Sequence, residues 1–349
     1  MSEPLHMRTP SRPPRPTMRD VAALAGVGIK TVSRVLNSEP NVSLETAERV
    51  HRAAAQLNYE INSVAGNLRR SGQSTKTVGL VVGHVANPFS GQVHAGVEDV
   101  LYPQGYSVLA ASLDDDAERE QRLVREFLRR RVDGLILTTI SQEQTYLLPE
   151  LSRGLPILFV DREPCGVAAD AVVGDNVGGA RQATAHLIAH GHRRIALLAD
   201  RDTLTTAKHR VDGYRAALQE AGLDFDASLV TMNLRSADAA HAAVTALLKS
   251  SNPPTAIFTA QNLITIGGIH ALRDAGMQHK VALMSFDDLV LADALDPGVS
   301  CVTQDPRSMG AIAGRKLLAR LAGDEAAPST VISPTTLIAR GSGEIPAPR

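Results

Sequence analysis

Residues 17–37 read TMRDVAALAGVGIKTVSRVLN, and the seven that close the stretch, TVSRVLN at 31–37, decide how the rest is read. On a helix, Val32, Val35 and Leu36 fall to one side and Thr31, Ser33, Arg34 and Asn37 to the other. An ordinary wet face favours Glu, Lys and Gln. This one carries short hydroxyl groups, one arginine and one asparagine, the side chains that reach base edges and phosphates. Upstream, Thr17 can cap a first helix whose Val21, Leu24 and Ala25 share a face. AGVG breaks that helix, and a second runs from about Ile29 to Leu36 until Asn37 and SEPN end it. Downstream, VSLETAERVHRAAAQLNY predicts a third helix, capped by Ser43, with Glu45 in its first turn. Three short helices with a tight turn between the first two fit a helix-turn-helix.

GVGIKT, inside this stretch, is half of a phosphate loop and satisfies neither template. No third glycine follows at the dinucleotide spacing, the Walker spacing before Lys-Thr is wrong, and no strand precedes it.

Charge is distributed unevenly around this module. Residues 1–76 hold 11 Lys/Arg and 6 Asp/Glu, whereas the remainder holds 25 and 31. A basic end on an acidic body predicts a polyanion-binding module joined to something else. The Pro/Arg-rich residues 1–16 read as a disordered basic tail with no apolar signal region. With no apolar run of membrane-span length, the expected location is cytoplasmic. Cys165 and Cys301 have no metal or disulfide pattern and are expected to be reduced and inert. The 11 histidines show no metal spacing, and LDDDAERE at 113–120 lacks the glycine and oxygen pattern of a calcium loop. No nucleophile–base set, metal cluster or cofactor loop is present, so neither catalysis nor a cofactor is expected.

NSVAGNLRRSGQSTKT, from residue 62, predicts a short helix at about 62–69 interrupted by Gly66. Such a helix does not hold alone in water. It has the character of a segment that orders against a partner. Leu68, beside Arg69 and Arg70, has the composition of a minor-groove wedge flanked by phosphate contacts.

Beyond residue 76, apolar runs alternate with amphipathic helices. The runs are TVGLVVG, YSVLAAS, DGLILTT, PILFVD, RIALLAD, AIFTA and VALMSFD; the helices include 90–103, 118–130, 177–190, 208–221, 237–249 and 264–275. This alternation predicts parallel sheets wrapped by helices. Ligands in such folds sit at the carboxyl ends of strands. That rule selects Thr138, Asp161 and Asp287 at strand ends, Arg210 opening a helix after RIALLAD, and Phe89 after the first strand. Asp161 could instead pair with Arg162, and Asp287 could cap its own turn.

Taken together, DVAALAGV..KTVSRVLN, VS.ET.ERV, LNY..N..A..L, VGLVV......NPF, RRVDGLIL, DN..GA..A..HLI..GHRRIALL, R..GYRAAL and FDD resemble the lactose/galactose repressor (LacI/GalR) family of bacterial transcription regulators over nearly the whole chain. The resemblance implies a DNA-binding regulator, expected to repress, that binds a pseudo-palindromic double-stranded operator as a homodimer under control of a sugar-like effector. A nucleobase or phosphorylated co-repressor, or a plain solute-binding protein, are the alternatives. It also implies base-choosing roles for Ile29 and Lys30, and phosphate or base contacts at Thr31, Ser33, Arg34 and Asn37. Thr17 and Asn41 match phosphate contacts, Asn62 and Ala65 lie in the matched hinge, and Leu68 matches the wedge. Effector contacts are implied at Arg210 and Asp287, and less uniformly at Phe89, Thr138, Asp161, Thr206 and Gln304. Asn262 offers an amide where many members have a carboxylate. Gly28 stands where a capping serine is usual.

The expected fold is therefore an all-α helix-turn-helix with a hinge helix, joined to an α/β domain of two periplasmic-binding-protein-like lobes. The expected limits are 1–16 for the tail, 17–61 for the DNA-binding domain and 62–76 for the hinge and linker. The effector and dimerisation domain covers 77–340, followed by a tail at 341–349. Lobe one takes about 77–175 and 305–330, and lobe two about 176–304 and 331–340. Because no leucine heptad closes the chain, a dimer rather than a tail-mediated tetramer is expected.

Overall fold

The computed structural model describes residues 16–36, 39–40, 42–59 and 74–349. The chain divides into two compact units, Met1–Thr75 and Lys76–Arg349.

The small unit contains α1 (Met18–Ala25), α2 (Ile29–Leu36) and α3 (Leu44–Gln56). Its turn geometry follows from a few local bonds. The Asp20 carboxylate accepts from both the Thr17 N–H and the Thr17 hydroxyl, each at 2.7 Å, which starts α1. Gly26 ends it in the left-handed conformation, φ 65°. From α3, Arg49 Nη2 donates to the carbonyls of Ala25 at 2.6 Å and Gly26 at 3.3 Å, so the third helix clamps the turn between the first two. Val21, Val32 and Val50, one from each helix, are wholly buried together. Asn37, Asn41, Asn62, Ala65 and Leu68, with the expected helix at 62–69, lie outside the described residues.

The large unit holds two six-stranded sheets. One comprises β1 (Thr77–Val82), β2 (Ser107–Ser112), β3 (Gly134–Leu137), β4 (Ile157–Val160), β5 (Asp170–Gly174) and β11 (Thr330–Ser333), ordered β11-β5-β4-β3-β1-β2 and parallel throughout. The other comprises β6 (Ile195–Leu198), β7 (Val230–Thr231), β8 (Ala256–Thr259), β9 (Ala282–Phe286), β10 (Ser300–Thr303) and β12 (Thr336–Ile338), ordered β12-β10-β9-β8-β6-β7 with only β12 antiparallel. Central strands such as GLIL, ILFV and IALL are apolar and buried at every position, as strands covered on both faces must be. The covering helices of lobe one are α4 (Pro88–Leu101), α5 (Ala117–Arg129), α6 (Leu148–Ser152) and α11 (Pro306–Leu321). Those of lobe two are α7 (Asn176–Ala189), α8 (Thr205–Glu220), α9 (Ala237–Leu248) and α10 (Asn262–Asp274). Helix pairs approach closely at glycines: a Cβ on Gly96 would strike the Arg307 carbonyl, and one on Gly213 the Val177 carbonyl.

The two sheets repeat one topology, and the chain passes between them three times. The third passage differs from the sequence-based limit. β11 pairs with β5, Val331 opposite Val172, so residues 331–333 belong to lobe one and the chain crosses at Pro334–Thr335. Strands β5, β7, β10, β11 and β12 were not among the expected runs; β7, β11 and β12 are edge strands with few buried positions and so carry little apolar signal. The expected tail at 341–349 is also corrected. Ser342 is buried and donates to the Leu283 carbonyl at 2.6 Å, and the Ala347 N–H reaches the His190 carbonyl at 3.0 Å. His192, at the turn after α7, is wholly buried between Thr255 Oγ1 and the Ile345 carbonyl.

Cys165 and Cys301 are both free, and burial pushes the Cys301 thiol up to about 12. Among the described residues no helix is long and apolar enough to cross a membrane.

Asp170 opens β5 and fastens α11 to the sheet. Its oxygens accept from Lys316 Nζ at 3.0 Å, Arg320 Nε at 2.8 Å and the Ser329 N–H at 3.0 Å. Burial opposes ionisation, yet these donors outweigh it and hold the carboxyl at about 2, below the ordinary 3.8. A depressed folded-state pKa stabilises above the unfolded value and is lost as pH falls through the folded one. Asp170→Asn should therefore cost about 2 kcal/mol at pH 7. Denaturant melts should show the gap to wild type closing as pH falls from about 4 toward 2. In the small unit, Gly28 leaves α2 without a side-chain cap, and a Cβ there meets nothing within 4 Å. Gly28→Ser should stabilise that unit by a few tenths of a kcal/mol, read as a higher melting temperature.

Candidate functional site

The residues marked from the sequence gather on two surfaces, one in each unit. On the small unit, packing of Val32 and Val35 fixes which way α2 faces. Ile29, Lys30 and Arg34 are then exposed and Thr31 and Ser33 half-buried, with Thr17 exposed at the start of α1. Ile29 is 44% exposed at the first turn of this helix, on the side that also presents Lys30 and Arg34.

The second surface is the cleft between the lobes of the large unit. Asp161 follows β4, and Asp287 follows β9, the equivalent strand of the other sheet. Both adopt left-handed backbone, φ 71° and 70°. Each N–H is held at 2.8 Å by a carbonyl of the neighbouring strand, Val172 and Val302 respectively. Non-glycine residues occupy this region at some cost, and here the same strained turn aims one carboxylate from each lobe into the cleft.

Arg210 lies between them and is buried. Its Nε donates to Asn176 Oδ1 at 2.8 Å and its Nη1 to the Ala260 carbonyl at 2.7 Å, while the guanidinium lies 3.7 Å over the Phe286 ring. Burial pulls its pKa down, and Asp287, Asp161 and Asp200 oppose that. Burial also raises both carboxyls above the ordinary range, with Arg162 and Arg210 working against the rise at Asp161, and Arg210 and Gln304 at Asp287. Gln304 Nε2 donates to Asp287 Oδ1 at 3.0 Å.

Several buried polar atoms here have no hydrogen-bond partner among the described residues. Arg162 Nε and Gln304 Oε1 are two of them. Asp161, with its side chain 14% exposed, has Arg162 Nε only at 3.7 Å, an ion pair too long for a hydrogen bond. The structure thus realises the Asp161–Arg162 pairing weakly and leaves hydrogen-bonding capacity over.

A cavity of about 360 Å³ opens here, lined by Phe89, Thr138, Asp161, Arg162 and Asp200 among others. A smaller one of about 70 Å³ adjoins Thr206, Arg210, Asn262 and Asp287. Seven of the eight residues marked from the sequence line these two spaces, and the eighth, Gln304, holds Asp287. Sequence reasoning missed Asn176, Asp200, Asn87 and Arg201. Asn176 is the second residue of the quoted DN pair, and it positions Arg210 while Asp175 caps α7. Asn87 caps α4 and crosses the cleft, accepting from Asn262 Nδ2 at 2.8 Å. Arg201 crosses too, with Nη2 2.6 Å from Asp115 Oδ1. The two lobes are therefore tied to each other across the cleft.

A helix-turn-helix unit joined to a two-lobed receptor with a polar, partly unsatisfied cleft defines a ligand-responsive DNA-binding protein. Comparison with known proteins agrees. Residues 17–62 match the model of bacterial regulatory proteins of the lacI family, and residues 75–341 that of periplasmic binding proteins and the sugar binding domain of the LacI family. The HTH-type transcriptional regulator CelR of Thermobifida fusca is 35% identical over 341 residues, covering 94% of this chain and 98% of that protein. A CelR–cellobiose complex superposes with a TM-score of 0.69 at 34% identity, over 94% of this chain and 100% of that one. The lac repressor dimer bound to operator and an anti-inducer gives 0.82 at 26% identity, over 95% and 99%. The chain belongs to the LacI family and is a DNA-binding transcriptional regulator.

A carboxyl whose folded pKa is raised destabilises the fold once pH exceeds its unfolded value, since folding then buries a charge. Asp161→Asn should therefore raise the melting temperature of the unliganded protein at pH 7, with the gain fading as pH falls below the ordinary carboxyl range. A lower melting temperature would make Asp161 a structural partner of Arg162.

Proposed function

We propose that this regulator is a cytoplasmic, non-catalytic repressor. In this reading it binds a pseudo-palindromic operator as a homodimer through α2, and a neutral, hydroxyl-rich ligand such as a mono- or disaccharide controls that binding from the cleft. The observation that carries the ligand assignment is the set of buried, unpaired polar atoms around Asp161, Arg162 and Gln304. Native proteins rarely leave such groups orphaned unless a ligand or water completes them. Carboxylates and guanidiniums each accept or donate paired hydrogen bonds to adjacent hydroxyls. Phe89 supplies a flat apolar face for a sugar ring. The two cavities are lined by five aspartates, Asp114, Asp115, Asp161, Asp200 and Asp287, against three arginines, Arg162, Arg210 and Arg235. That balance favours a neutral polyol over a phosphorylated metabolite. Cellobiose in the CelR complex is a ligand of this class.

On the DNA side, Ile29 and Lys30 choose bases, and Thr17, Thr31, Ser33 and Arg34 touch phosphate or bases, with Asn37, Asn41, Asn62, Ala65 and the Leu68 wedge carried from the sequence. Ligand preference for one lobe arrangement changes duplex affinity, typically by about 1–3 kcal/mol in such systems.

Two experiments test the reading. A thermal-shift panel of sugars, polyols, sugar acids and nucleobases should yield a carbohydrate hit, and Arg210→Ala should lose it. A hit that survives in Arg210→Ala would place the ligand elsewhere. For the other surface, duplex affinity should fall steeply with salt, and Arg34→Ala should lower the log–log slope by about 1. An unchanged slope would remove Arg34 from the phosphate contacts.

A further inference from the structure

Lobe two carries a cluster of side chains that the cleft does not use. His186 lies in the last turn of α7 and His190 caps its C-terminus four residues on, and Glu344 meets both from the C-terminal segment. His186 Nε2 lies 3.1 Å from Glu344 Oε1, and His190 Nε2 lies 3.2 Å from Glu344 Oε2. One ligand atom from each residue falls within 4.8 Å of the other two. The imidazole rings tilt toward each other with centroids 4.5 Å apart. No metal spacing was expected among the histidines from the sequence, and the structure corrects that: a four-residue interval on a helix puts two imidazoles on one face.

Hydrogen bonding decides what these atoms present. His190 Nδ1 lies 2.9 Å from the His186 carbonyl oxygen, which can only accept, so Nδ1 carries the hydrogen. In the neutral ring Nε2 then bears a lone pair, and that lone pair faces a carboxylate oxygen. His186 Nε2 is buried and makes no hydrogen bond, although the other carboxylate oxygen is close. The His190 lone pair, the His186 ring nitrogen and the Glu344 carboxylate converge on one spot, where a cation can be shared by all three.

We propose that His186, His190 and Glu344 bind one divalent transition-metal ion of the zinc type, with solvent completing its coordination on the exposed side of Glu344. Imidazole nitrogen with a single carboxylate suits zinc and excludes magnesium and calcium, which take oxygen ligands. A tetrahedral ion with bonds of 2.0–2.1 Å separates its ligand atoms by about 3.4 Å, close to the two nitrogen–oxygen spacings of 3.1 and 3.2 Å. The His190 Nδ1 contact to a main-chain carbonyl is the outer support that metal-bound histidines have. The ion clips residues 341–347 to α7. That segment otherwise holds through Ser342 on Leu283, the Gly343 N–H on Ser300 Oγ at 2.9 Å and Ile345 on His192. Strands β9 and β10, which bear Leu283 and Ser300, lead to Asp287 and Gln304 in the cleft, so the clip braces the lobe that holds them.

The test uses the full-length, untagged protein stripped with chelator and titrated with Co2+ and then Zn2+. Cobalt should develop the visible bands of a low-coordinate site, saturating at one equivalent per chain. Zinc should displace it and raise the melting temperature by about 5 °C at a hundredfold excess over its Kd, while magnesium and calcium leave it unchanged. Glu344→Ala, at an exposed position that does not threaten folding, and His190→Gln should each weaken cobalt binding at least tenfold. Absence of saturable binding, or binding undiminished in both variants, overturns the proposal and leaves the cluster an imidazolium–carboxylate contact.

Discussion

Arg210 is a full positive charge taken out of water on the floor of the cleft, and the architecture around it exists to make that tolerable. An unpaired buried guanidinium is prohibitively unfavourable. Three different elements therefore converge on this one: Asn176 at the first crossing between lobes, the Ala260 carbonyl at the end of β8, and the Phe286 ring at the end of β9. Asp161, Asp200 and Asp287 supply opposing charge without closing ideal ion pairs. Arg210 thus couples the strand ends of lobe two to the crossing segment and to a carboxylate of lobe one.

The repeated topology makes that coupling useful. Two similar sheets, each ending in an aspartate held in left-handed conformation, place two acceptors on opposite walls of one cleft. The cross-cleft bonds from Asn262 to Asn87 and from Arg201 to Asp115 are few. Three chain passages and two polar ties are easily rebalanced by a ligand that completes unpaired groups on both walls. Hinge closure between otherwise rigid lobes is the motion such a construction allows.

Much of the site was legible because strand ends are local features. PILFVD and ALMSFD announce buried strands that stop at an aspartate, so Asp161 and Asp287 followed directly. Asn176, Asp200 and Arg201 did not, since their roles exist only after distant segments meet. The pairing of Asp288 with Arg340, two hydrogen bonds of 2.7 and 2.8 Å across 52 positions, is of the same kind. It also separates the two aspartates of FDD, one facing the cleft and the other fastening the C-terminal strand. Glu344 was unreadable as a partner of His190 for the same reason, with 154 positions between them. The displaced third crossing came from β11, whose TVIS is half-exposed and carries no apolar run long enough to mark a strand.

The central claim is that occupancy of the cleft and grip on DNA are one equilibrium. It is tested most directly by titrating a duplex selected from a randomised pool, with and without a saturating concentration of the carbohydrate that the protein binds best. The account predicts a change in duplex Kd of about 5- to 150-fold. The same factor should appear in carbohydrate affinity when the duplex is present, because binding linkage is reciprocal. An unchanged duplex Kd at demonstrated saturation of the cleft would contradict it.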